Sequence, residues 1–313
     1  YRWNFGNTFA SPAGSDTSSA QNPVYKYSNL GPYNVKLIVT SGNNCIDSIT
    51  QQLVNVFPQP KARFKSSVDS ICIGQTIDFT DESDGLVRNI NTWKWSFGNG
   101  DSSFIQNPRY RYPAPANVPY TVKLFVYTTE GCVSDTAEKQ INVWSYPVVS
   151  AGPDITMLQD GIRKISEARS TGNGLQYLWT PSTYLDNPAS ANPTIIKPQD
   201  DITYTVRVTG RGGCTNSDAV FVKVLKLPKP PNTFTPNGDG INDFWEIKYL
   251  NDYPGCIVEV YNTAGTLVYR SVGYSTPWDG KYNGQPLPAG TYYYVIDPKN
   301  GRSRVAGYIT ILR

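Results

Sequence analysis

A chain of 313 residues has room for two to four domains, and its 24 Pro, 26 Gly and 22 Tyr against a single Met go with short apolar runs rich in Val, Ile, Tyr and Thr. Such runs read as strands on half-buried pleated surfaces, so the expectation is an all-β protein. Lys plus Arg number 28 against 25 Asp plus Glu, a balance of +3 with no basic run longer than Arg302 to Arg304, which excludes a nucleic-acid partner. The sequence has no His, which removes the commonest general base and zinc ligand and argues against most hydrolytic chemistry.

No stretch approaches the roughly 18 consecutive apolar residues of a membrane-spanning helix. Tyr1-Arg2-Trp3-Asn4 has no signal-peptide pattern, so the expectation is a soluble piece of something longer, with no direct membrane span.

In chain order, a unit recurs. Trp3-Asn4-Phe5-Gly6-Asn7 matches Trp95-Ser96-Phe97-Gly98-Asn99, and "QNPVYKY…YNVKLIV" from Gln21 matches "QNPRYRY…YTVKLFV" from Gln106. A diverged third copy reads "YLWTPSTYL" from Tyr177, then "ANPTIIKP" and "YTVRV". Cys45, Cys132 and Cys214 occupy the same place in the three copies. A period of about 80 to 90 residues suits a whole β-sandwich of about seven strands. Alternation places Val35, Leu37, Val39 and Val122, Leu124, Val126 inward with Lys36 and Lys123 outward, and the motif tryptophans Trp3, Trp95 and Trp179 in the cores. The boundaries follow as 1–58 (truncated at its start), 59–145, 146–227 and 228–313.

"WSFGNGDSS", "NPRYRYPAPANVPYTVKLFV" and "GCVSD" resemble the PKD domain family, immunoglobulin-like sandwiches that mostly act as extracellular spacers. Asn7 and Asn99 stand where the family usually has Asp, and Tyr where it has His; Tyr can fill the same packing role, so both changes read as neutral to the fold. Trp179 lacks the Phe-Gly-Asn turn after it.

Cys72 and Cys132 fall near the start and end of the second copy, and a bridge between them is expected, worth about 4 kcal/mol on the chain-entropy model. The alternative is five buried free thiols. Met157-Leu158 stands where the third copy would carry the partner of Cys214, and the partner of Cys45 is expected before Tyr1. Cys214 and Cys256 are a poor pair, because domain junctions rarely fix the Cβ separation a disulfide needs.

"LPKPP" from Leu227 to Pro231 reads as a short stiff junction. Beyond it, strands and hairpins turn at Asn262 to Gly265 and Pro298 to Gly301, with Val258, Val260, Tyr293, Val295, Ile309 and Ile311 expected to line a core. "FTPNGDGINDFW", "VEVYNTAGTLVYRS", "WDGKYNGQPLPAGTYYYVI" and "GYITILR" closely resemble the gliding-motility-associated C-terminal domain of the Bacteroidota, the type B sorting domain of type IX secretion. Thr263-Ala264 departs from the family's Arg-Trp at a hairpin tip. The resemblance implies a non-catalytic C-terminal address of a large gliding-type adhesin, exported across the outer membrane to the cell surface. There it would be recognised by the translocon and by a PorP/SprF-type outer-membrane barrel protein. The whole is expected to be tandem Ig-like/PKD β-sandwiches plus an Ig-like sorting domain.

Asn237, Asp239, Asn242 and Asp243 offer closely spaced oxygens of the kind calcium takes. Gly240 is nevertheless out of place for an EF-hand loop and no Glu closes it, so the preferred reading is an Asx-rich turn, with calcium as the alternative and no cofactor required. Asp81 with Glu82, and Asp200 with Asp201, are adjacent and unsuited to a two-carboxylate cleft. Partner contact is expected at Tyr261, Tyr269, Trp278 and Tyr292 to Tyr294, and on the terminal strand at Ile309, Ile311 and Arg313, which would act as an edge for β-augmentation. The competing reading is a carbohydrate-binding accessory region of a secreted polysaccharide-degrading enzyme, which exposed coplanar aromatics on one sandwich would favour. Trp144, Trp245 and Trp278 read as structural.

Overall fold

The computed structural model describes residues 1–313. Strands dominate, with only two single-turn 3-10 elements, and the chain forms two compact units: Tyr1–Tyr146 with Gly210–Cys214, and Pro147–Thr209 with Thr215–Arg313.

In the first unit, strands β1 (Arg2–Asn4), β2 (Thr17–Ser18), β3 (Tyr33–Thr40) and β4 (Ile46–Leu53) make one sheet in the order β2-β1-β3-β4. Next come β5 (Phe64–Ser66), β6 (Ser70–Cys72), β7 (Thr76–Asp81), β8 (Ile90–Ser96), β9 (Ser102–Ser103), β10 (Arg109–Arg111), β11 (Tyr120–Thr128) and β12 (Ala137–Trp144). They form two sheets, β10-β7-β5 and β6-β12-β11-β8-β9, with β6 parallel to β12 and the other pairs antiparallel. Ile77 and Phe79 from one sheet meet Trp95, Phe97, Val122, Leu124, Val126, Ile141 and Val143 from the other in one apolar cluster. The alternation of β11 is thus as expected.

The repeat motif has a physical basis shared by both copies. Asn99 Nδ2 donates to Tyr110 OH, and Asn7 Nδ2 to Tyr25 OH, each at 2.8 Å. Tyr112 OH donates to Phe97 O at 3.1 Å, and Tyr27 OH to Phe5 O at 2.8 Å. Phe97 stacks on Tyr110 with ring centroids 3.9 Å apart, and Phe5 on Tyr25 at 4.2 Å. The amide-to-phenol bond ties the Phe-Gly-Asn turn to the Tyr-x-Tyr strand, so Tyr does fill the packing role and Asn the polar one. Glycine is required between Phe and Asn because φ is +83° at Gly98 and a Cβ there would lie 2.7 Å from Thr121 O.

Trp3 departs from expectation. Trp95 and Trp179 are buried, but Trp3 is half-exposed and lines an open groove with Val35, Leu37, Ile49 and Leu53. Burial of a strand's inward face needs a facing sheet, and the β1–β4 sheet has none packed on it in this chain. Val39 is likewise exposed.

The disulfide also differs. Cys72 is bonded to Cys214, with Cα atoms 5.7 Å apart, and Cys132 is free. The reason is strand direction: Cys72 is level with Trp144 at the end of β12, whereas Cys132 precedes the start of that strand. Eight residues of β12 at about 3.3 Å each keep the two sulfurs at opposite ends of the sheet. The segment Gly210–Cys214 comes to Trp144 instead. Arg211 lies over the Trp144 ring at 5.7 Å, and a Cβ on Gly212 would fall 1.9 Å from Trp144 Cδ1. Cys45 is exposed and Cys256 buried, and neither is bonded; Cys214 and Cys256 do not pair.

In the second unit, β13 (Val148–Ser150), β14 (Ile155–Leu158), β15 (Ile162–Lys164), β16 (Arg169–Thr171), β17 (Gln176–Thr180), β18 (Thr194–Ile196), β19 (Ile202–Thr209) and β20 (Thr215–Leu225) build the third sandwich. A four-stranded sheet β14-β20-β19-β17 is joined by the pairs β13-β16 and β15-β18 around Trp179, Tyr204, Val206 and Val222. The last domain comprises β21 (Thr233–Phe234), β22 (Ile257–Tyr261), β23 (Leu267–Val272), β24 (Lys281–Tyr282), β25 (Gln285–Pro286), β26 (Gly290–Asp297) and β27 (Val305–Ile311). Its main sheet runs β21-β27-β26-β22-β23. One face of this sheet is covered by loop-borne aromatics, Trp245, Tyr274 and Trp278, packed with Phe234, Val258, Val260, Tyr292, Tyr294, Ile296, Ile309 and Ile311. Tyr274 is a buried hinge of these loops: its hydroxyl donates to Trp245 O and accepts from Trp278 N, and burial pushes its pKa up.

The Pro-rich junction is docked. Pro231 O accepts from Trp245 Nε1 at 2.8 Å, Lys229 bridges Lys248, and Tyr253 OH reaches Lys226 O at 2.6 Å. Arg302 binds both Tyr253 OH and Leu225 O. The last sandwich thus continues the third through hydrogen bonds rather than through a free linker.

Candidate docking face of the last domain

Directly paired residues in an antiparallel sheet share a face. Tyr261 pairs with Tyr293 and Tyr293 with Tyr308, so three tyrosines from β22, β26 and β27 stand in one row across the strands. Leu267 on β23 pairs with Tyr261 and extends the row to the sheet's edge. At about 4.8 Å per strand the row is about 14 Å long. Tyr293 is 53% and Tyr308 55% exposed, on the side of the sheet away from Trp245 and Trp278. Val295 and Ala306 flank the row on one side, Thr291 and Thr310 on the other. Glu259, opposite Val295, makes that flank polar at the β22 end: it accepts from Tyr261 OH at 3.0 Å and pairs with Arg270 at 3.3 Å. The hydrogen bond to that carboxylate raises the pKa of Tyr261.

The terminal strand is interior in part, contrary to the expected free edge. β27 pairs with β26 along its whole length, and β21 covers Thr310 and Ile311 on the other side. Thr310 N donates to Asn232 O and Leu312 N to Phe234 O, so the backbone of Tyr308 and Ala306, in the same phase, points to the same side as β21, over a stretch that β21 does not cover. An open stretch of edge therefore adjoins the tyrosine row.

The expected contact residues divide between the two faces. Tyr261 and Tyr293 lie on the outer face, and Arg313 is exposed with its Nε on Leu287 O at 3.2 Å. Trp278, Tyr292, Tyr294, Ile309 and Ile311 are core residues that no partner reaches in the folded domain, and Tyr269 packs against the same core. Conversely, Tyr293 and Val295 do not line the core as expected. Tyr308 was missed, although strict alternation from buried Ile309 would have found it.

The loop from Asn237 to Asp243 is braced by its own side chains. Asp243 accepts Gly238 N at 2.7 Å on one carboxylate oxygen and Gly240 N at 2.8 Å on the other, and these backbone amides hold its pKa below the usual carboxylate value. Asp239 accepts Ile241 N at 2.7 Å and Asn237 Nδ2 at 2.8 Å. Each of the four carboxylate oxygens thus accepts one N–H from within the loop, the chemistry of an Asx-braced turn that holds its shape by its own side chains. The loop presents Ile241 and Phe244, 66% and 49% exposed, beside a groove lined by Thr233, Asn242, Glu246 and Lys248. The paired acids elsewhere are braces: Asp81 accepts Trp93 Nε1, Asp200 holds Lys226, and Asp201 holds Lys223. Trp95, Trp179, Trp245 and Trp278 are buried and offer no stacking platform.

These features define a class: a series of immunoglobulin-like β-sandwiches ending in a compact domain with one aromatic face turned outward. Residues 57–143 match the family model of the PKD domain, and residues 228–311 match that of the CHU_C type IX secretion signal domain. A type IX signal implies export across the outer membrane, to the cell surface or beyond, and handling by the type IX machinery. No helix is long and apolar enough to cross a membrane. Among solved structures, the PKD1 domain of the Vibrio cholerae metalloprotease PrtV is 30% identical over 27% of this chain and 96% of its own, at a TM-score of 0.24. The PKD1 domain of Vibrio anguillarum Epp is 27% identical over 27% and 95%, at 0.23. A titin I-band fragment is 14% identical over 82% and 99%, at 0.43.

Proposed function

We propose that this region is a non-catalytic stalk whose last domain is the docking signal of a large surface protein of the gliding-adhesin kind. The translocon, and then a PorP/SprF-type outer-membrane barrel protein, grasp that domain by its outer face. The observation that supports this reading is the row Leu267–Tyr261–Tyr293–Tyr308 beside an open strand edge, on the domain that matches a secretion signal. Tyrosine presents large contact area at small entropic cost, and the edge at Ala306 and Tyr308 offers backbone groups that an extended partner segment can pair with. Fold and docking use opposite faces of one sheet, so docking residues can change without loss of the core.

The test is surface display of a reporter fused ahead of the whole chain in a type IX-secreting host. Tyr293→Ser with Tyr308→Ser is expected to cut display several-fold while the purified chain still melts cooperatively. Undiminished display of that variant overturns the assignment of the face. Deletion of 307–313 is a poor test, since it removes the core residues Ile309 and Ile311.

A further inference from the structure

We infer that the Cys72–Cys214 disulfide is a force shunt, which takes most of the second and third repeats out of the load path when the chain is stretched. This goes beyond secretion and docking and rests on chain connectivity. Cys72 ends β6, Cys214 immediately precedes β20, and the two are 142 residues apart in sequence. Tension entering from the N-terminal side reaches Cys72, crosses the S–S bond and leaves at Cys214 into β20. β7 to β12 and β13 to β19, with both core tryptophans Trp95 and Trp179, lie in the bypassed loop. Whether or not they unfold, tension on the ends cannot draw out their length while the bond holds, because the covalent path through sulfur is shorter.

The geometry around the bond holds the two cysteines together. Trp144 Nε1 donates to Ser70 Oγ and Ile73 N donates to Trp144 O, both at 2.7 Å, so Trp144 is fixed to the first residue of β6 and to the residue that follows Cys72. On its other side Trp144 carries the incoming segment: Arg211 over the ring, Gly212 against its edge at φ +68°, and Cys214 Sγ 4.0 Å from its carbonyl oxygen. Only glycine fits at 212, since any Cβ would overlap the indole. A segment from the third repeat is thereby delivered to β6 of the second, a connection that neither sandwich needs for its own core.

The test is single-molecule stretching of the whole chain between handles at its two ends. Under non-reducing conditions the contour length released is expected to omit the 142-residue span. With dithiothreitol, which converts the disulfide to two thiols and is itself oxidised to its cyclic disulfide, the extension should gain roughly 470–510 Å at about 3.3–3.6 Å per residue. The Cys72→Ser, Cys214→Ser double variant should show that gain without reductant, and Cys132→Ser should not. Equal extension with and without dithiothreitol overturns the inference, as does the full gain in Cys132→Ser. A non-reducing peptide map provides a readout independent of folding: a Cys72–Cys214 cross-linked peptide is expected, and alkylation of Cys72 in the unreduced chain sinks the idea.

Discussion

Tyr293 and Tyr308 stand opposite each other in register on the outer face of the last domain's sheet, while Tyr292 and Tyr294, on either side of Tyr293, are buried. Two consequences follow for mutation. Tyr293→Ser with Tyr308→Ser removes a cross-strand aromatic pair worth about 0.2–1 kcal/mol, so urea unfolding of the domain should shift little. Trp278→Ala, on the covered face, deletes a fully enclosed ring and should cost about 3–5 kcal/mol. If the two variants were destabilised equally, the division of the sheet into a docking face and a core face would be wrong.

Asp243 gives the Asn237 to Asp243 loop a pH dependence of fixed sign. Its folded pKa is depressed by the amides of Gly238 and Gly240. The carboxylate therefore contributes stability that is fully present above its unfolded value of about 3.9 and is lost as pH falls through the lower folded value. Amide exchange of Gly238 and Gly240 should accelerate in that acid window in the wild type. In Asp243→Asn it should already be fast at neutral pH and change little on acidification. Slow, pH-independent exchange at both glycines in Asp243→Asn would mean that the carboxylate is not the brace.

Calcium is not expected to move this loop. All four oxygens of Asp239 and Asp243 accept N–H donors from within the turn, so the loop is already held in shape without a cation. Melting of the full chain with millimolar calcium and with EDTA should coincide; a calcium-dependent rise of several degrees would point to ligands rearranged from the geometry seen here.

What the sequence made legible depended on how strongly each segment distinguishes its two faces. In β11, Val122, Leu124 and Val126 alternate with Thr121, Lys123 and Phe125, and Lys123 pairs outward with Glu138, so the phase could be read directly. In β26, "TYYYVI" is apolar in both phases and carries no such mark. Its phase is set by the neighbouring strand: Gly307, lying beneath the Tyr294 phenol, makes room for Tyr294 inward and leaves Tyr293 beside Tyr308 outward. Trp278 fits both a structural role and a contact role by sequence alone. Nothing local to a loop says whether it folds over a sheet, and the bonds of Tyr274 to Trp245 and Trp278 that hold it there are long-range. Repeat spacing aligned Cys45, Cys132 and Cys214 correctly. It did not reveal that Cys72 would be reached by the cysteine one repeat further on, because that follows from β6 running parallel to β12 and from the bare Cα of Gly212 beside Trp144.

The Phe-Gly-Asn turn allows a clean separation of backbone strain from steric contact. Gly98 and Gly100 are two residues apart, with φ at +83° and +100°. A side chain at Gly98 would lie 2.7 Å from Thr121 O and 2.8 Å from Thr121 N, whereas at Gly100 there is no heavy atom within 4 Å. Both Ala substitutions carry the cost of a left-handed backbone, about 1–2 kcal/mol. Only Gly98→Ala also pushes β11 away from the turn, and Thr121 sits beside Val122, one of the most enclosed residues of the core. Gly100→Ala should therefore lower the melting temperature by roughly 4–16 °C, and Gly98→Ala by clearly more. Gly6→Ala should repeat the Gly98 result in the first copy, where the added Cβ would fall 2.5 Å from Asn34 O. Equal melting of Gly98→Ala and Gly100→Ala would show that β11 yields freely and that the glycine of this motif serves conformation alone.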